Sequence, residues 1–135
     1  MVTSLIFLDT GYLLALVNER DQYHQQALEL SRIYESAVFL TTDAILMELG
    51  NALSRSYKSQ AIEFIDYLMQ DDSVVLVRLT PELFNDAFSR YCHYRDQQWG
   101  LVDCLSFVVM EHYGVNQVLS FDRHFVQAGF RVLMS

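Results

Sequence analysis

Four carboxylates stand where short apolar runs end or helical patterns run: Asp9, Glu48, Asp103 and Asp122. Asp9 directly follows Leu5-Ile6-Phe7-Leu8, and Asp122 lies just beyond Val118-Leu119-Ser120-Phe121. Singly, either acid can end a strand or cap the next helix, which Asp does well. Glu48 lies at the rim of an apolar arc of Ile45, Leu46, Leu49 and Leu53, with Asn51 about one turn on. It reads as an ordinary solvated residue or as one aimed into a neighbouring cleft. Asp103 opens a stretch that is apolar almost all round and is therefore expected to be buried, with Ser106 on the same face one turn later. Here the alternatives are an N-cap carboxylate satisfied by its own helix and the edge of a metal site.

The four together carry more than any one. Converging carboxylates raise each other's pKa and cannot all stay ionised side by side. Divalent cations resolve that conflict, and all-oxygen ligands favour magnesium, calcium or manganese over zinc. Two such ions, roughly 3.5–4 Å apart, activate a water and stabilise the leaving oxygen in phosphodiester hydrolysis. Competing catalytic patterns are missing: the chain has no Ser/His/Asp order, Walker A loop, GxGxxG or HExxH. Asp9 is followed by Thr10 and Gly11, so no DxD phosphatase motif is present, and Lys58 is the only lysine, which speaks against a receiver-type phospho-acceptor domain.

Other chemistry-bearing residues have plainer readings. His24, His93, His112 and His124 lack metal-ligand spacing, and His24 and His124 read as hydrogen bonders that stabilise the fold, with a place at the rim of a site as the alternative. Among the aromatics, Tyr12, Tyr23, Tyr34, Tyr91 and Tyr94 read as core or interface residues, although such rings can stack bases. Trp99, close to Asp103, is a candidate substrate contact. Arg95 and Arg123 are candidate phosphate contacts or ion-pair partners of the acids; Asp43 and Asp96 read as caps.

The elements that must position the four acids alternate. Strands are expected at residues 5–8, 38–41, 74–79, 117–120 and 131–133, and helices at 11–18, 22–36, 43–56, 60–70, 81–94 and 103–113, with a short turn near His124. Thr80-Pro81 reads as an N-cap followed by proline at the first helical position, and Gly114 as a helix stop. This alternation predicts an α/β fold of three layers, α/β/α, around a short, mostly parallel sheet. In such sheets sites lie beyond the carboxyl ends of the strands, where Asp9 and Asp122 fall.

Bulk properties set the frame. With 135 residues and no repeat or linker, the chain reads as one domain, residues 1–135. A domain of that size buries roughly two-thirds of its unfolded surface, so its core needs no disulfide. Cys92 and Cys104 form no CxxC pair and suit a reducing compartment. The opening run reaches an acid too soon for a signal peptide, and no apolar run is long enough to span a bilayer, so a cytoplasmic protein away from membranes is expected. The formal charge of −8 and pI near 4.7 run against nucleic-acid binding, which usually shows as a basic face. Bound cations would offset this locally, and eight of the nine basic residues are arginines, the side chain suited to bidentate phosphate contacts.

Along nearly its whole length the sequence resembles the PIN-domain family, which includes the VapC-type toxins of toxin–antitoxin modules. Phe7-Leu-Asp-Thr-Gly-Tyr-Leu-Leu-Ala15 is similar to the family's opening strand end, and Asp21-Gln-Tyr-His-Gln-Gln-Ala27 to its Asp-x-x-His-x-x-Ala helix. Thr41-Thr-Asp-Ala-Ile-Leu-Met-Glu48 looks like the segment carrying its glutamate, and Asp96-Gln-Gln-Trp-Gly-Leu-Val-Asp-Cys-Leu-Ser106 like its third acidic motif. Leu119-Ser-Phe-Asp-Arg-His-Phe-Val-Gln-Ala-Gly-Phe130 resembles the closing motif of one subgroup. The resemblance implies a magnesium- or manganese-dependent endoribonuclease with Asp9, Glu48, Asp103 and Asp122 as metal-binding catalytic carboxylates. Thr10, Ser106 and Asn51 would be accessory, and RNA would be the substrate. A toxin of this kind would be a homodimer silenced by an antitoxin protein. The same resemblance covers non-toxin nucleases of RNA processing and non-catalytic RNA- or metal-binding modules. Two departures, Gly100 and Val102 where hydroxyl residues are common, favour the last; the complete set of four acids argues against it.

Overall fold

Each strand except the last is followed by one or two helices before the next strand begins. The computed structural model, which describes residues 5–133, folds these units around one five-stranded sheet. The elements are β1 (Leu5–Leu8), α1 (Thr10–Val17), α2 (His24–Ile33), β2 (Val38–Thr42), α3 (Asp43–Leu53) and α4 (Lys58–Gln70), then β3 (Val74–Val77), α5 (Pro81–His93), α6 (Leu101–His112), β4 (Gln117–Leu119), α7 (His124–Gln127) and β5 (Arg131–Val132). Strand order is β3-β2-β1-β4-β5 and every pairing is parallel, as expected for strands joined by helical crossovers. The register places Phe7 of β1 between Leu40 of β2 and Val118 of β4.

Helices α1 to α4 pack on one another and cover one face, while α5 to α7 pack together and cover the other. Successive side chains of β1 serve the two faces alternately, as the pleat requires. Leu8 lines a small cavity with Tyr12, Leu13 and Leu68 on the α1–α4 side. Phe7 points to the other layer, its ring 6.2 Å from that of Phe125. Phe107 of α6 is the centre of that second layer: it meets Trp99 edge-on at 5.1 Å, Phe125 at 5.2 Å and Phe130 at 5.6 Å, with no exposed surface of its own.

Local chemistry sets the boundaries. Thr80 caps α5 by accepting the Leu83 N–H (3.1 Å), ahead of Pro81. Gly114 stops α6 at φ +67°, with the Val115 N–H reaching back to the Met110 carbonyl (2.8 Å). Three expectations need correction. Helix α6 starts at Leu101, with Gly100 at its N-cap, so Asp103 is its third residue and not its first. Helix α2 starts only at His24, because Asp21 closes a turn by accepting the Tyr23 N–H (2.8 Å). Asp43 is not the cap of α3: Thr42 accepts the Ile45 N–H (3.2 Å), and Asp43 instead takes the Leu79 N–H at 3.0 Å, tying the exit of β3 to α3.

Phe107→Ala should lower the unfolding free energy by about 3–5 kcal/mol, because its three aromatic partners cannot all close the space left behind. Urea unfolding followed by circular dichroism checks this.

Candidate active site

From β1 the chain builds the sheet outward through β2 to β3, then returns to lay β4 and β5 on the other side of β1. The order therefore reverses between β1 and β4, and a crevice opens at their carboxyl ends. Asp9 leaves β1 there, its backbone N–H bonded to the Leu119 carbonyl at 3.2 Å. Ser120 and Asp122 leave β4 at the same edge, while α3 and α6 begin there and bring Glu48 and Asp103 on their first two turns. Asp9, Glu48, Asp103 and Asp122 thus line one open cleft of about 1030 Å³, although they come from four separate elements.

Each carboxylate has its own hold. Asp9 is buried, at 7% exposure, and accepts the Ser120 hydroxyl proton at 2.7 Å. Ser120 in turn accepts the Asp122 N–H (2.9 Å), so one buried serine joins two of the acids. Asp122 Oδ1 accepts the His124 N–H (2.9 Å). Asp103 Oδ2 accepts the Gly100 N–H (3.1 Å) and lies 2.8 Å from His124 Nδ1, which is 3.3 Å from Asp122 Oδ1. Glu48 Oε1 accepts the Thr10 hydroxyl proton at 2.6 Å.

Electrostatics follows from this placement. Burial pushes the Asp9 carboxyl up to about 7; Ser120 and the Thr10 N–H pull it down, and the charges of Asp103 and Asp122 push it up again. Near pH 7 the metal-free Asp9 carboxyl is therefore about half protonated, and at lower pH it holds a proton that a cation would displace. The donors fit such a cation: one atom each from Asp103, Asp122 and His124 lie within 4.8 Å of one another. Carboxylates beside one imidazole make a donor set for a divalent cation.

The PIN domain family matches residues 6–131 of the chain. The protein belongs to the PIN-domain family. It is 28% identical over 128 residues to the 23S rRNA-specific endonuclease VapC20 of two Mycobacterium tuberculosis strains, covering 93% of this chain and 95% of that protein. The crystal structure of M. tuberculosis VapC20, described as a Sarcin-Ricin loop cleaving toxin, superposes with a TM-score of 0.85 at 26% identity, over 96% of this chain and 99% of that one.

Within this PIN domain, Thr10 and Arg123 also line the cleft. The other expected accessory residues do not. Ser106 is buried and donates its hydroxyl proton to the Val102 carbonyl (3.0 Å), one turn back in its own helix. Trp99 is turned inward: its ring packs on Phe107 and its indole N–H donates to Gln127 Oε1 at 3.2 Å. Asn51 is exposed on α3 outside the cleft lining, and Arg95 bends back to the Cys92 carbonyl (3.4 Å). Two residues not singled out as site residues stand inside the site, Ser120 and His124. The Ser120-x-Asp122-x-His124 spacing is the one signal that could have pointed to them.

A carboxyl raised in the folded chain binds more protons folded than unfolded between about pH 4 and pH 7, so stability falls as pH rises through that window. In EDTA, Asp9→Asn should therefore melt higher than wild type above about pH 7, the gap closing by about pH 4. Thermal melts of both proteins across pH check this.

Proposed function

We propose that the cleft is the active site of an endoribonuclease, the toxin of a toxin–antitoxin pair, which hydrolyses RNA phosphodiester bonds with magnesium or manganese held by Asp9, Glu48, Asp103 and Asp122. One observation carries the reading: four carboxylates from separate elements converge at the sheet's switch point, and the most buried is held near neutrality. A cluster of this kind is a poor structural device and a good cation site. When bound, the cations supply an activated water and positive charge at the leaving oxygen.

The chain's own residues do the positioning. Ser120 orients Asp9 and Asp122 together, Thr10 orients Glu48, and the Gly100 amide with His124 orients Asp103. That amide supplies a hydrogen bond at the position where the expected hydroxyl is missing. Arg123, exposed at the cleft edge, is placed to meet a phosphate. The substrate class carried over from VapC20 is ribosomal RNA, in a loop rather than a duplex.

The same reading gives the protein an antitoxin partner that covers the acidic cleft, and a second copy of itself. The surface has room for such partners: Phe84, Phe88 and Tyr91 form a stacked, exposed ridge along α5. Among the described residues no helix is long and apolar enough to cross a membrane. Both cysteines are free, as suits the cytoplasm, where we place the protein as one PIN-type unit.

Purified protein incubated with an end-labelled mixed RNA pool should cut it with magnesium or manganese and stop in EDTA. Asp103→Asn should lower the rate by at least roughly a hundredfold while its circular dichroism stays unchanged. RNA binding without cutting under either metal would instead favour a non-catalytic module.

A further inference from the structure

One wall of the cleft is not used by metal chemistry. In the same cleft as the carboxylates, Tyr23 and Phe121 stack with ring centroids 4.4 Å apart and planes 13° from parallel. Both rings line the cleft that holds Asp9 and Asp103, and both are half-buried at its rim. We propose that the stacked Tyr23–Phe121 pair is the base subsite of the enzyme, holding one unstacked nucleobase of the RNA beside the scissile phosphate. The proposal rests on the nuclease reading above.

Placement is the first argument. Phe121 stands in the chain between Ser120, which holds Asp9, and Asp122. Its ring is therefore fixed next to the reacting centre, at the distance of a neighbouring residue, and a base adjoining the cleaved phosphate would meet it. Rigidity is the second. Asp21 accepts the Tyr23 N–H through its side chain at 2.8 Å and the His24 N–H through its carbonyl at 3.0 Å. His24 Nδ1 lies 2.6 Å from the Ala15 carbonyl, which ties the start of α2 to α1. Tyr12 backs Phe121 with ring centroids 6.4 Å apart. The aromatic pair is thus preorganised, so little rotamer freedom is lost when a base docks.

Charge is the third argument and decides between modes of binding. The chain carries −8, and among the described residues Arg123 is the one arginine lining the cleft, with no lysine beside it. Phosphate attraction is therefore weak, and affinity has to come from cation bridging and from contacts that do not depend on charge. Base–aromatic stacking is such a contact, and it takes any base because each has a π-face. It also demands that the base be out of its own stack, which selects loops and single strands over duplex. Gln22, exposed on the same wall, offers an amide that can read a base edge.

The test uses a short single-stranded RNA with 2-aminopurine placed at successive positions, and the same RNA with an abasic site at successive positions. With wild-type protein, fluorescence should be quenched on binding at one position flanking the cut bond. The quench should vanish in Tyr23→Leu and persist in Tyr23→Phe. KM should rise roughly 5- to 100-fold in Tyr23→Leu with kcat nearly unchanged. An abasic site at the quenched position should raise the wild-type KM similarly and add nothing in Tyr23→Leu. A quench and KM unchanged in Tyr23→Leu, or additive losses, would overturn the proposal. So would wild-type KM insensitive to an abasic site at every position, an outcome that needs no variant to fold. If wild type cuts no RNA with either metal, the nuclease reading fails, and the quench, which reads binding alone, still decides the subsite.

Discussion

The structure turns on the burial of one carboxylate. Asp9 sits at the point where the parallel sheet reverses its order, almost out of reach of water, with two more acids facing it. An isolated ionised carboxylate in such a place costs several kcal/mol or more, and the group responds by keeping its proton near neutral pH. Its surroundings answer in two ways. Ser120 and the Thr10 amide donate hydrogen bonds to it, and neighbouring acids supply the remaining donors of a cation site. A fold selected for stability alone would have placed an apolar side chain here; a carboxylate in this setting is intelligible when a cation shares the cleft.

The rest of the architecture brings the other acids to that point and fixes them through hydrogen-bond partners, two of which, Ser120 and His124, are shared. Asp9 and Ser120 are 111 residues apart and meet only because β1 and β4 are neighbours. Glu48 arrives on α3 and Asp103 on α6, each pinned by a separate donor. The site is therefore formed by rigid element ends and short turns, and its geometry exists before any cation or RNA binds. Aromatic packing around Phe107 keeps α6 and α7 seated, which holds Asp103 against His124. Core and site are coupled in this way: the layer that stabilises the fold also sets the distance between carboxylates.

Much of this could be read from the sequence, for a specific reason. A parallel sheet places strand ends and helix starts at one edge, so acids after the apolar runs 5–8 and 118–121 had to fall near each other. Resemblance to a family then assigned Glu48 and Asp103, which no periodicity could have separated from ordinary rim or capping residues. What was not legible depends on side-chain direction. Ser106 shares a helical face with Asp103, yet its hydroxyl turns back to the Val102 carbonyl. Trp99 lies four positions before Asp103, yet Phe107 draws its ring into the core. Ser120 and His124 went unassigned because their spacing about Asp122 marks them only once Asp122 is placed in a site, and because Asp103, the partner of His124, is 21 residues away. The charge of −8 pointed away from RNA because composition counts the acids that a cation site requires as if they were free surface.

The central claim is that the Asp9 cluster exchanges its proton for a divalent cation. Calorimetric titration of manganese into the metal-free protein, repeated in buffers of different ionisation enthalpy, measures that exchange directly. The account predicts binding with release of close to one proton at about pH 6, falling toward zero above about pH 8, and loss of the release in Asp9→Asn. Manganese that fails to bind, or binds with no proton release across this range, would contradict it.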